Sequence, residues 1–181
     1  MGFIRFADIS DAAEILGIYK PYVEETVITF EYDVPTIAEF VRRITETRKT
    51  YPYLVYEEDG NVIGYAYAGA VRERKAYQWT CELSVYVKKE MYSRGIGKAL
   101  YEKLLEYLKL QNFKIVYAVI TAPNPQSEKF HERFGFTNIA VFKKTGYKMG
   151  EWLDVLWMEK VIGEFEDEPA APTAIGGITE D

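Results

Sequence analysis

Three groups of residues have the types and spacing to do chemistry. The first is Ser93-Arg94-Gly95-Ile96-Gly97-Lys98, a short basic loop between an apolar alternating run and an amphipathic helical pattern. Gly95 and Gly97 let the backbone turn tightly and approach a ligand, and the helix that follows points its unpaired N–H groups into the loop. Such a cradle holds an anion, and a pyrophosphate is its natural occupant. Two common phosphate loops are excluded by residue. Tyr92 and Ala99 stand where a P-loop needs Gly and Ser or Thr, and Leu100 stands where the dinucleotide fingerprint needs its third Gly. The second group centres on Glu82 in Thr80-Cys-Glu-Leu-Ser-Val-Tyr-Val87, on the same strand face as Ser84 and Tyr86. A carboxylate inside a strand needs a reason, and service as a general base is one. The alternative is a solvated or salt-bridged strand residue. The third group is Asn124, placed to cap a helix that carries Ser127 and the one histidine, His131.

The elements that must position these groups are legible in the periodicity. Phe3 to Phe6 alternates as a strand, and Ser10 offers an N-cap to a helix with Ile15, Ile18, Tyr19 and Tyr22 on one face. Pro21 predicts that this helix bends or ends near Lys20, leaving Tyr22 to Phe30 as loop. Thr36 and Glu39 form a capping box for a helix with the stripe Ile37, Phe40, Val41, Ile44. Tyr53 to Glu57 and Val62 to Val71 flank the turn Asp59-Gly60-Asn61 as a hairpin, and Trp79 to Val87 extends that meander. A helix from about Gly97 to Gln111 hands over to a buried strand, Ile115 to Thr121, which argues for two parallel strands joined by a right-handed crossover. Ser127 to Phe134 reads as a short helix. Thr137 to Thr145 and Trp152 to Val161 read as antiparallel strands around a turn at 146–150. This is an α+β layout, a mixed and mostly antiparallel sheet with flanking helices. The parallel pair splays at the loop, so backbone groups of Val85, Tyr86 and Val87 are free to bond an extended ligand arm.

Arg94, Gly95 and Gly97 match the R-G-x-G acetyl-CoA motif, and the chain resembles the GNAT acetyltransferases. A second signature of that superfamily, N-x-x-[AS]-x-x-F-Y-x-x-x-G-F, is matched by Asn124, Ser127, Phe130, Gly135 and Phe136, with His131 in place of Tyr. The resemblance implies the GNAT fold, acetyl-CoA as cosubstrate, a pantetheine arm on Val85 to Val87, and Asn124 and Ser127 on the CoA side. Tyr92 departs from the usual Gln or Arg. By position, His131 is the acid for the departing CoA thiolate, an imidazolium being competent near neutral pH. Thr29-Phe30, Tyr67-Ala-Gly69, Ala76-Tyr77, Trp79-Thr80 and Gly146-Tyr-Lys-x-Gly150-x-Trp152-x-Asp154-Val155 further resemble phosphinothricin acetyltransferases. That likeness implies Glu82 as the base and Arg72, Arg74 and Tyr77 as holders of an acidic acceptor. Guanidinium forks suit carboxylate or phosphinate oxygens. It makes Phe30 and Val155 apolar walls and implies a homodimer.

Bulk properties narrow the class. With 181 residues and 48% hydrophobic content, residues 1–162 suit one domain with a sizeable core. A single Cys81 and a single His exclude an internal disulfide and make a metal site unexpected. No apolar run reaches the roughly 18 residues of a membrane span, and no charged-then-apolar leader begins the chain, so the expected location is cytoplasmic. The net charge of −6 is carried by acids at 164, 166, 167, 168, 180 and 181, in a tail (163–181) without Lys or Arg whose composition predicts disorder. The remainder is neutral and has no basic block for nucleic acid. The expected activity is acetylation of the α-amino group of a small acidic amino-acid analogue. Alternatives are a protein or polyamine N-acetyltransferase, or a non-catalytic acyl-CoA sensor.

Overall fold

The alternation in Thr80–Val87 places its odd and even residues on opposite faces of one sheet. In the computed structural model, which describes residues 2–178, Cys81 and Leu83 are buried beneath a long helix on one face. On the other face Tyr86 meets the edges of Tyr19 and Tyr22. The strands are β1 (Phe3–Phe6), β2 (Tyr53–Glu58), β3 (Asn61–Ala70), β4 (Thr80–Val87), β5 (Ile115–Ala122), β6 (Thr137–Lys148) and β7 (Glu151–Val161). They form one sheet in the order β1-β2-β3-β4-β5-β7-β6, in which only β4 and β5 run parallel. Helices α1 (Ala12–Glu25) and α2 (Ile37–Thr47) cover one face through Ile15, Ile18, Phe40 and Ile44. Helices α3 (Ile96–Leu110) and α4 (Pro125–Arg133) cover the other, with Leu100, Tyr101, Leu104 and Leu108 at its centre. Asp59 and Gly60 both take positive φ (51° and 76°), as a two-residue hairpin turn demands.

Several local expectations give way to tertiary contacts. Helix α1 runs through Pro21 to Glu25. An interior proline costs about 3 kcal/mol, and burial of Tyr22 and Val23 beyond it offsets that at roughly 1.5–3 kcal/mol per large side chain. The Tyr22 hydroxyl also donates to the Val87 carbonyl (2.7 Å). Ser10 is no cap for α1. Asp8 caps a single 3₁₀ turn at Ile9–Asp11, and the Ser10 N–H and hydroxyl both donate to Asp8. Thr36 caps α2 as expected by accepting the Glu39 N–H (3.1 Å), but the Glu39 carboxylate turns to Arg42 and Arg43, and Ile37 is 53% exposed. Strand β6 continues through Gly146 to Lys148, and the turn is Met149-Gly150, both at positive φ. Gly146 serves a close approach instead: a Cβ there would overlap the Phe30 ring.

The tail expected to be disordered packs against the sheet's base over residues 163–178. The Trp79 indole N–H and the Asn112 amide both donate to the Ala170 carbonyl (2.8 Å each), the buried Gln111 amide donates to Thr50 and Thr173 carbonyls, and Ile175 is buried. Backbone donors and acceptors, the Glu166 carboxylate on the buried Lys114 ammonium (2.8 Å) and one apolar residue therefore hold a segment whose composition reads as solvated. Residues 179–181 lie outside the described residues.

Candidate functional site

Helix α3 opens on the anion cradle. Ser93 and Gly95 both take positive φ (63° and 81°), Gly95 is the N-cap, and no side chain caps the helix. Its first internal bond runs from the Ala99 N–H to the Gly95 carbonyl (3.0 Å), which leaves the N–H groups of Ile96, Gly97 and Lys98 directed outward at the positive end of the helix dipole. The cations have partners of their own. Arg94 donates to Glu58 (2.9 Å), and Lys98 lies 3.7 Å from Glu102. The attraction for an anion thus comes chiefly from the backbone. Tyr92, at the motif position that departs from the superfamily, shares a 2.7 Å hydrogen bond with the Tyr22 hydroxyl.

Beside the cradle, β4 and β5 part. They pair only at Thr80–Ile115, Cys81–Val116 and Glu82–Tyr117. The Lys88 N–H to Ile63 carbonyl bond (3.0 Å) marks a bonded pair of the β3–β4 ladder. By the antiparallel alternation, the peptide groups of Leu83, Val85 and Val87 turn away from β3 into the gap, while those of Tyr86 bond β3. Of the three residues expected to offer backbone groups, Val85 is one that this alternation turns toward the gap. The Val87 carbonyl already accepts from the Tyr22 hydroxyl and the Val87 N–H donates to it (3.4 Å), and Tyr86 contributes its side chain to the core instead.

Glu82 sits where the pairing ends. Its cross-strand neighbour on β3 is Gly69, around which no atom lies within 4 Å of a would-be Cβ, so space is open beside the carboxylate. Burial raises its pKa above the usual carboxylate range. Cys81 points to the opposite face, fully buried, its thiol pKa pushed up by burial. Arg72, Arg74 and Tyr77 line an open cavity of about 490 Å³ on the loop that leaves β3 just after Gly69. Phe30, 37% exposed, and the buried Val155 both lie at the α1–α2 face of the sheet, Phe30 against Gly146 and Val155 paired with Thr121 and Phe142.

His131 lies elsewhere. It is 6% exposed on the α3 side, with Nδ1 2.8 Å from the Ser127 carbonyl and Nε2 2.9 Å from the Tyr101 hydroxyl. A carbonyl only accepts, so Nδ1 carries the proton and Nε2 accepts from Tyr101. Burial lowers the pKa of the ring, which is neutral at pH 7. Desolvation disfavours the charged form of the ring, and no carboxylate lies against it among the described residues, so the environment works against the imidazolium that an acid role needs. Asn124 caps α4 by accepting the Ser127 N–H (3.1 Å).

Residues 4–157 match the family described as Acetyltransferase (GNAT) domain. The chain belongs to the GNAT acetyltransferase family. It is 37% identical to phosphinothricin N-acetyltransferase of Streptomyces viridochromogenes, over 98% of this chain and 94% of that one. It is 34% identical to the L-methionine sulfoximine/L-methionine sulfone acetyltransferase of Salmonella typhimurium, over 94% and 98% of the two chains. The phosphinothricin acetyltransferase of Sinorhizobium meliloti, solved in complex with AcCoA, superposes with a TM-score of 0.89 at 37% identity, covering 93% of each chain. The splayed mixed sheet is thus that of the GNAT fold. No helix among the described residues is long and apolar enough to cross a membrane, and none of the described His, Cys, Asp and Glu residues cluster in threes fit to hold a metal ion.

Two further residues near these elements carry no motif signal. Tyr67, paired in register with Ser84 of β4, borders a second cavity of about 370 Å³ among Tyr19, Phe40, Tyr53 and Tyr65. Lys148, 3% exposed, is the second. The available signal was the last turn of α1, which carries Glu24 and Glu25 and no base, the reverse of what a helix C-terminus favours.

Proposed function

We propose that this acetyl-CoA-dependent N-acetyltransferase acetylates the α-amino group of a small acidic amino-acid analogue, of the phosphinothricin or methionine sulfone and sulfoximine kind, by direct transfer. The observation that carries the reading is Glu82, a carboxylate with raised pKa beside open space, at the point where β4 and β5 separate. Glu82, acting through water, takes the proton of the ammonium. The freed amine nitrogen attacks the thioester carbon; the new C–N bond forms as the C–S bond breaks. The Val85 N–H in the gap bonds the oxygen as negative charge develops there. The thiolate takes its proton from solvent, since Nε2 of His131 bears none. No acyl-enzyme intervenes, for Cys81 is sealed on the far face.

Support for an acidic acceptor comes from Arg72, Arg74 and Tyr77 around one cavity and from the activities named for the relatives. Phe30 and Val155, which do not line that cavity, serve as apolar walls toward the acceptor's side chain from the α1–α2 face. Ser93 to Lys98 hold the pyrophosphate, and Asn124 and Ser127 border the CoA arm. The protein works in the cytoplasm, where acetyl-CoA is supplied, as a homodimer. Exposed Ile139, Val141, Phe142 and Trp152 on the sheet's outer strands favour a second copy there.

The test is CoA release with phosphinothricin, methionine sulfone, their amides, a polyamine and an N-terminal peptide. The acids are expected to be turned over best. Arg74→Ala should lower kcat/KM for the acid by a factor equivalent to about 1.5–3 kcal/mol while sparing the amide. Equal losses for acid and amide, or turnover of the polyamine alone, would remove the acidic-acceptor reading.

A further inference from the structure

We infer that Lys148 is a positioning residue for the acceptor pocket: its ammonium fixes the segment Thr26–Tyr32 against β6 and thereby sets Phe30. The inference rests on the proposal that Phe30 borders the acceptor. All three ammonium donors are used, on the carbonyls of Val23, Thr26 and Thr29, each at 2.8 Å. Among the described residues no carboxylate lies within ion-pair distance of Lys148, though Glu31 of the same segment attracts it from farther off. The side chain therefore does the work of a helix C-cap from 122–125 residues away along the chain. It supplies the cation that the last turn of α1, with Glu24 and Glu25, lacks.

The third bond gives the device its consequence for the site. Thr29 is held from both ends, its carbonyl by Lys148 and its hydroxyl by Tyr19 (2.5 Å). The next residue, Phe30, is then aimed onto Gly146, two positions before Lys148 on the same strand. Clamp and docking point thus belong to one paired piece of β6, and Phe30 remains 37% exposed. Glu31 to Arg43 (2.7 Å) and the Tyr32 hydroxyl to the Tyr147 carbonyl fasten the far side of the segment. Loss of the ammonium would leave three carbonyls without a donor and free the segment at its α1 end.

The experiment uses the full chain with Lys148→Met, read by hydrogen exchange and by steady-state kinetics. Exchange over residues 26–32 should rise at least tenfold, with residues 93–100 unchanged. KM should rise at least tenfold for the best acceptor amine found for the wild type, with KM for acetyl-CoA within twofold. Unchanged exchange over 26–32, or equal rises in both KM values, would overturn the inference. If the methionine variant does not fold, Lys148→Arg decides. A planar guanidinium keeps the charge without meeting three diverging carbonyls, so acceptor KM and segment exchange should each rise at least threefold; no change in either would overturn it. Exchange needs no substrate, so a wrong acceptor class and a wrong role for Lys148 give different results.

Discussion

Gly97→Ala separates stability from cofactor binding, because the structure assigns the two effects opposite signs. Gly97 lies in the first turn of α3 with an ordinary helical φ, and a Cβ there would meet Val87 and Val85 methyls and the Phe130 ring at 3.8–3.9 Å, normal van der Waals distances. Nothing in the fold resists the methyl. Alanine is favoured over glycine in a helix by up to about 1 kcal/mol, which for a chain of this length raises Tm by roughly 2–4 °C. The same methyl projects between the cradle's N–H groups and the two valines that edge the gap. A ligand forced to accommodate one extra methyl in a packed site loses typically 1–3 kcal/mol, or about 5–150-fold in affinity. Thermal unfolding without ligand, calorimetric titration with CoA, and KM for acetyl-CoA against KM for the acceptor supply the readings. A higher Tm with unchanged CoA affinity would show that the pyrophosphate does not approach Gly97, and a lower Tm would show that the packing argument is wrong.

Glu82→Gln should lower kcat by about 10²–10⁴-fold at pH values below the acceptor amine's pKa, with partial recovery at high pH as neutral amine accumulates; a loss under about threefold at every pH would return Glu82 to a structural role. Because burial raises the folded-state pKa of Glu82, its contribution to stability is present below the unfolded value and lost as pH rises, so Glu82→Gln should be more stable than wild type at pH 7–8 in denaturant titrations. His131→Phe leaves the Tyr101 hydroxyl without its acceptor and should destabilise the fold by about 1–3 kcal/mol while keeping the alkaline limb of the pH–rate profile. Loss of that limb would reinstate His131 as the acid. With its pKa lowered, neutral His131 supports the fold above the ordinary histidine range, and this support fades as pH falls below it. Wild type should therefore lose more stability than His131→Phe between pH 7 and 5.

Short-range rules carried much of the protein. Alternation in Thr80–Val87 set the faces of Glu82 and Cys81, Thr36 capped α2, Asp59-Gly60 made the hairpin turn, and Gly95 opened α3 with its N–H groups outward. Each of these rests on residues within about four positions, where φ preference, capping and periodicity act. The pair of motifs around Arg94-Gly95-x-Gly97 and Asn124 to Phe136 placed the chain in its family for the same reason, since each is a local backbone arrangement with a chemical purpose. What the tertiary structure alone decided involves partners far apart in the chain. Pro21 stays inside α1 because Tyr22 reaches Val87, 65 positions on. Gly146 is a contact for Phe30 and not a turn, Arg94 answers to Glu58, His131 is buried against the Tyr101 hydroxyl, and the acidic segment at 163–178 finds donors on Trp79, Asn112 and Gln111. Lys148 is the extreme case, a strand lysine whose meaning lies in three carbonyls about 120 residues earlier. Local rules report what a backbone segment prefers; which buried donor meets which acceptor is settled only when desolvation leaves each polar group to find a partner in the folded chain.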